Sequence, residues 1–200
     1  MALWNSRGLR GSQLEESINL TNEKYREGGL ALIQKIPTPI TPIEMDKSHG
    51  HITLAYFDKK STVDYIGAVQ GVPVCFDAKE CATETFALQN VHEHQVVFMR
   101  DFERQQGVAF FLIYFKSLDR YYYLRLCELE PFWKRAEEGG RKSFRTDELD
   151  EGYFFDGKNG WEYMFKKLRA PLFEQKEKDG LGKEKSFLCR LIEKISLIKG

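Results

Sequence analysis

The sequence predicts an α/β protein, a mixed β-sheet with helices packed on it. The first observation is the order of periodic segments: helix, strand, hairpin, helix, strand, strand, as helical spacing gives way to strand alternation and back. The second is VAFFLIYF, Val108 to Phe115, an unbroken apolar run that marks a strand covered on both faces. The third is composition. In 200 residues, 42% hydrophobic, 14% aromatic and 30% charged residues exclude a disordered or collagenous chain. A single domain of this length buries roughly 70% of the surface its unfolded chain exposes, so it needs no disulfide or structural zinc.

The elements follow in order. Residues 12–26, SQLEESINLTNEKYR, predict a helix with Ser12 as N-cap and Glu15 at the capping-box position, and with Leu14, Ile18 and Tyr25 on one face. Gly28 and Gly29 stop it, and LALIQKI (30–36) predicts a short buried strand. Pro37, Pro39 and Pro42 then forbid a helix or a central strand, leaving an extended, proline-stiffened excursion before the apolar LAYF at 54–57. STVDYIGAVQ (61–70) and VPVCFDAKE (72–80) pair as a hairpin around Gln70 and Gly71. By the period of two, Val72, Val74, Phe76 and Ala78 share one face of the second strand, and Cys75, Asp77 and Lys79 the other.

Asn90 is expected to open the next helix, with Glu93 at its capping-box position. That helix runs to about Gln106, and Val91, Gln95, Phe98 and Phe102 form its inward stripe, so Gln95 is a polar residue on an apolar face. After the covered strand, RYYYLRL (120–126) predicts another strand. ELEPFWKRAEE predicts a short helix interrupted by Pro131, GGRKSFR a basic loop, and WEYMFKKL (161–168) the start of the last helical part.

The remaining composition narrows the functional classes. Formal net charge is zero, so any nucleic-acid affinity rests on local rather than global positive charge. Cys75, Cys81, Cys127 and Cys189 form no C-x-x-C pair and match no zinc module, so they read as reduced thiols of a cytoplasmic protein. His49/His51 and His92/His94 lack the further ligands that a structural zinc requires. The longest apolar run falls well short of the roughly 20 residues of a membrane span. MALWNSRGLRG at the N-terminus has no apolar signal core, so neither membrane insertion nor secretion is expected.

The set that carries chemistry is Asp64, Asp77 and Lys79, with Glu15 on the first helix and Gln95 on the later one. Asp64 is expected at the middle of one hairpin strand and Asp77 near the end of its neighbour. Two carboxylates brought together in a sheet repel unless a cation lies between them. Hard oxygen ligands that leave room for waters suit Mg²⁺. Lys79, two residues beyond Asp77 on the same face, could orient a water or meet charge developing on a phosphate. The plainer reading of these residues is an Asp-x-Lys ion pair on a surface strand, an arrangement that contributes little.

D-x₁₂-D-x-K in this frame resembles the PD-(D/E)xK nuclease superfamily. The resemblance narrows with RGxxLE at Arg10–Glu15, INLTNEKY at 18–25, IQKIPTPI at 33–40, STVDY at 61–65, FDAKE at 76–80, LQNVHEHQ at 88–95 and GRKSFRTDEL at 140–149. Taken together over roughly residues 5–165, these are similar to the bacterial RecU-type Holliday junction resolvases. The resemblance implies a restriction-endonuclease-like mixed sheet flanked by helices, with a protruding stalk inserted between strands. It implies that Asp64, Asp77, Thr62 and Gln95 hold Mg²⁺, with Mn²⁺ as an alternative, and that Lys79 stabilises the transition state. Glu15 would be an outer carboxylate of the catalytic group. Arg7, Arg10, Arg141 and Lys142 would contact phosphates, and Phe57 at the stalk would meet bases.

The implied domain layout is a nuclease domain over residues 1–169, with the stalk at about 37–60, and a C-terminal extension over 170–200. In that extension Leu188, Leu191, Ile192, Ile195 and Ile198 would share one face of an amphipathic helix. Many members of the family carry glutamate where this chain has Asp77, and the long basic N-terminal arm common among them is nearly absent. The implied function is Mg²⁺-dependent paired nicking of a four-way DNA junction by a homodimer during recombination and repair, with recombination proteins as further partners. Two alternatives are a non-catalytic branched-DNA-binding or recombinase-modulating protein, and a duplex-cutting nuclease of the same superfamily.

Overall fold

The computed structural model describes residues 13–57 and 62–156. In chain order the elements are α1 (Gln13–Glu27), β1 (Ala31–Lys35), β2 (Ile40–Asp46), β3 (His51–Phe57), β4 (Tyr65–Val69), β5 (Val72–Cys81), β6 (Thr85–Ala87), α2 (Glu93–Arg104), β7 (Val108–Phe115), β8 (Arg120–Arg125), α3 (Leu126–Glu137), β9 (Ser143–Arg145) and β10 (Phe154–Asp156). Six strands form one sheet in the order β1-β4-β5-β7-β8-β10. β5 and β7 run parallel, and every other neighbouring pair is antiparallel. The parallel pair requires a crossover, and α2 lies within it.

Strand alternation sends the two faces of the sheet to different helices. On one face Val74, Phe76, Phe110 and Leu112 pack with Leu14, Ile18 and Tyr25 of α1. On the other, Cys75, Ala109, Phe111 and Ile113 pack with Val96 and Met99 of α2 and Leu126 and Leu129 of α3. β7 touches both layers, which explains its unbroken apolar run; seven of its eight residues are buried. An aromatic ladder crosses the α1 face, with ring centroids 4.7 Å apart for Tyr65 and Phe76, 4.9 Å for Phe76 and Phe110, and 4.5 Å for Phe110 and Tyr123.

Two glycine positions shape the near edge. Gln70 and Gly71 both have positive φ, which closes the β4–β5 hairpin in the turn type that matches strand twist. A Cβ at Gly67 would lie 2.1 Å from the Leu32 carbonyl oxygen, so only glycine lets β1 pair this closely with β4. β1 is an edge strand whose Leu32 is exposed, not the buried strand its apolar run suggests.

The proline-stiffened excursion is a two-stranded antiparallel ribbon of β2 and β3, separate from the main sheet. Its register is irregular around Pro42 and Glu44, where the missing proline N–H interrupts pairing. Every β3 residue is exposed.

The structure corrects several boundaries. Asp64 precedes β4 instead of lying mid-strand, because Tyr65 opens the pairing with Phe76. Asp77 lies inside β5 opposite Phe111 instead of near its end, because β5 stays paired with β7 to Cys81. The N-cap of α2 is His92, two residues later than Asn90, which ends a short 3₁₀ turn. The buried stripe of α2 reads Gln95, Val96 and Met99, with Phe98 and Phe102 only partly covered, so its face is rotated from the expected one. α3 continues through Pro131 instead of being interrupted by it. Part of the basic loop is β9, paired with β6 through Phe86 opposite Phe144. The expected helical part at 161–168, the C-terminal extension, Ser12, Arg7 and Arg10 lie outside the described residues. Among the described residues no helix is long and apolar enough to cross a membrane.

Candidate active site

Only three polar or charged residues are buried among those described, and two of them, Asp77 and Gln95, are hydrogen-bonded to each other. Asp77 is fully buried on the α2 face of β5, in line with Cys75. Gln95 arrives from the first turn of α2 and donates through Nε2 to Asp77 Oδ1 at 2.8 Å. Its Oε1 accepts from the His92 backbone N–H at 3.1 Å and from Lys79 Nζ at 3.4 Å. One amide therefore closes the start of the helix and holds a carboxylate in the sheet. This accounts for the polar residue on an apolar face.

Lys79 Nζ lies 2.5 Å from Asp77 Oδ2. The approach is ionic without a well-directed hydrogen bond, so this buried oxygen keeps unspent hydrogen-bonding capacity. Asp64 reaches the same stretch of β5 from its bend before β4, where its Oδ2 accepts from the Ala78 backbone N–H at 2.9 Å. The Asp64 backbone carbonyl accepts from Ile36 N–H at 2.7 Å, tying that bend to the end of β1. Burial pushes the Asp77 carboxyl up to about 7. The Lys79 ammonium opposes that shift, and the Asp64 carboxylate adds to it.

These donors suit a hard cation. Asp64 and Asp77 offer carboxylate oxygens, with a buried Asp77 oxygen lacking a directed hydrogen bond and a second carboxylate raising the cost of its charge. Gln95 turns its Nε2 to Asp77 and its Oε1 to the His92 N–H and Lys79. Among the described residues no cluster of three or more His, Cys, Asp and Glu side chains forms, so the two aspartates are not joined by a third such side chain. A small oxygen set completed by water is the Mg²⁺ pattern.

The other residues singled out in the sequence fall into distinct places. Thr62 is exposed in the segment before β4, next to the fully buried Val63. Glu15 pairs with Lys35 at 2.7 Å. Burial first, then the Glu15 and Asp64 carboxylates, push the Tyr65 phenol upward, so both carboxylates act on one buried ring. Phe57 ends the ribbon with 75% of its surface exposed, beside Tyr56. Arg141 pairs with Glu148 and donates to the Ser143 carbonyl, while Glu148 also holds Arg135 at 2.6 Å. Lys142 is exposed, and its backbone carbonyl accepts from Leu88 N–H at 3.0 Å, which ties the basic loop to the segment leading into α2.

Two residues with structural duties near this site went unassigned in the sequence. Glu80 alternates away from Lys79 to the α1 face, where its carboxylate accepts the Leu14 N–H at 3.2 Å and pairs with Lys116 at 2.6 Å. A carboxylate at a helix N-terminus satisfies an orphan donor and favours the dipole. Period-two alternation pointed to the face but not to the partner. His92 takes the N-cap with Gln95 three residues on, a spacing readable in HEHQ once a non-standard cap is admitted.

A central parallel pair within an otherwise antiparallel sheet, helices on both faces and two aspartates meeting on β5 just past the start of β4 make this a restriction-endonuclease-like α/β domain. The chain belongs to the RecU family: residues 9–161 match the family described as Recombination protein U. Proteins named Holliday junction resolvase RecU are similar to it. That of Pediococcus pentosaceus is 42% identical over 151 residues, covering 73% of this chain and 75% of the relative. That of a Geobacillus species is 42% identical over 147 residues (72% and 73%), and that of Staphylococcus carnosus 42% over 146 residues (71% and 70%). The solved structure of Archaeoglobus fulgidus Hjc, titled a Holliday junction resolvase, aligns over 69% of this chain with 8% identity and a TM-score of 0.41.

Proposed function

We propose that this chain is an endonuclease that resolves four-way DNA junctions by Mg²⁺-dependent nicking of opposed strands. The observation that carries the reading is the buried Asp77 carboxylate, gripped by Gln95 and Lys79 on the stretch of β5 that Asp64 also reaches. A buried charge of this kind is costly to the fold, and membership of the RecU family supplies a reason for it. Asp64 and Asp77 would hold the ion, with Thr62 and Gln95 completing its surroundings and Mn²⁺ as an alternative. Once bound, the ion would supply Lewis-acid charge and lower the pKa of a coordinated water.

The protein's own groups do the rest. Gln95 fixes the orientation of Asp77 by linking it to the first turn of α2. Lys79 keeps one cation where negative charge develops on the attacked phosphate. Glu15 would act from the outer edge. Phosphates would be met by Lys142 and Arg141, with Arg7 and Arg10 on the N-terminal side, and Phe57 would stack on a base at the crossover. A homodimer with two-fold symmetry would set two such sites on opposed strands of a junction that has the same approximate symmetry.

The deciding experiment places purified protein with Mg²⁺ on a mobile four-way junction and on linear duplex built from the same arms. Paired nicks in the junction, silenced by EDTA, are the expected result. Equal cutting of duplex would make it a general nuclease. Tight junction binding without nicks in Mg²⁺ or Mn²⁺ would make it a branched-DNA-binding protein.

A further inference from the structure

Away from the paired aspartates, α2 and α3 leave a groove of about 890 Å³ between them. Val96, Val97, Pro131 and Trp133 line it, and Val97 is 49% exposed. The groove also carries charge. Glu93, Glu130 and Glu137 on its lining face Arg100 and Lys134, with Arg100 matched by Glu130 at 3.4 Å, so the lining keeps a surplus of one negative charge.

We propose that this groove is the seat of the chain's own C-terminal segment, residues 186–198. The spacing of Leu188, Leu191, Ile192, Ile195 and Ile198 predicts one apolar helical face, the complement of Val97 and Trp133. Within the same stretch Arg190 and Lys194 outnumber Glu193, a surplus of one positive charge, opposite in sign to the groove. Reach is no obstacle. The chain between Asp156 and Leu188 could extend on the order of 100 Å at about 3.3 Å per residue, much more than the width of such a domain. A tethered segment also meets the groove at a high effective concentration, which favours it over a free partner. Seated there, it braces α2, the helix whose first turn carries Gln95.

The chain contains its own reporters. Cys127 lines the groove and is exposed, Cys75 and Cys81 are buried, and Cys189 lies inside the proposed occupant. The full chain at low micromolar concentration is treated with a short bis-maleimide and mapped by peptide mass spectrometry. The expected product is a monomer-sized species joined between Cys127 and Cys189, absent in Cys127→Ser. A Leu191→Asp, Ile195→Asp double variant is expected to lose the link and to let a monofunctional maleimide label Cys127 several-fold faster. A link that joins two chains, growing with protein concentration, would give the groove to a second copy and overturn the proposal. So would the absence of a link together with equal Cys127 labelling in parent and double variant.

Discussion

The Asp77 site on β5 and the β2–β3 ribbon break the same rule in opposite directions. At β5 a carboxylate and an amide are buried. On the ribbon Ile40, Ile43, Met45, Ile52, Leu54, Tyr56 and Phe57 are exposed. Neither arrangement serves folding: a buried charge costs desolvation, and exposed apolar side chains forgo burial. The difference lies in how each is held. Asp77 is fixed by Gln95, Lys79 and the packed sheet, so its geometry is set before any ligand arrives. The ribbon pairs only with itself, so its apolar surface is supported by the core without belonging to it. Departures of this kind are expected at sites of function, where local preference and task diverge.

The sharpest way to break the contrast is Asp77→Asn, which keeps an acceptor for Gln95 while removing the buried charge. Junction cleavage in Mg²⁺ is expected to fall by about 10³–10⁴-fold, the scale seen when a member of a catalytic unit is lost. Full activity in gel assays would remove Asp77 from the chemistry. The same variant tests the pH linkage. The folded state holds the Asp77 proton more tightly than the unfolded state, so metal-free parent protein loses stability as pH rises from the ordinary carboxylate range through about 7. Urea unfolding in EDTA between those limits should show that decline in the parent and a flatter profile in Asp77→Asn.

Lys79→Ala is expected to lower the cleavage rate by about 10²–10³-fold, the usual effect of losing one preorganised electrostatic group. Junction affinity should barely change, because many phosphate contacts share that term. Cleavage at the parental rate would reduce Lys79 to a counterion for Asp77. Replacing residues 41–52 with a short Gly/Ser linker tests the other region. The melting temperature of the core should hold, while the preference for junction over duplex should fall by roughly tenfold, about 1.4 kcal/mol. An unchanged preference would transfer selectivity to the basic loop. Phe57→Ala is the mildest change. It should leave stability unaltered, since the ring is exposed, and weaken junction binding by about 1 kcal/mol if that ring stacks on a base, the lower end of what base–aromatic stacking contributes.

Much of this was legible in the chain itself. The two-face alternation of β5, the covered run of β7 and the Gln70-Gly71 hairpin come from local spacing and turn chemistry, which neighbouring residues impose on one another. Asp64, Asp77, Lys79 and Gln95 could be named as a group from spacing and motif. What escaped reading were features decided by distant partners. LALIQKI is apolar enough for a buried strand, yet its place at the sheet edge depends on which strands pair. β6 and β9 are three residues each, too short to show a period, and exist because Phe86 meets Phe144.

The sequence by itself determined which side chains share a face, where the chain must turn, and that a polar group would interrupt an apolar helix stripe, since these depend on residues a few positions apart. Only the tertiary structure decided that Gln95 spans 18 positions to hold Asp77, that the Asp77–Lys79 pair lies with its carboxylate buried and not on a surface strand, and that Asp64 comes from outside its strand to join them. The physical reason is that burial and Coulombic contact are set by distance in space. A carboxyl becomes costly to ionise only when packing has removed its water and placed a second carboxylate beside it.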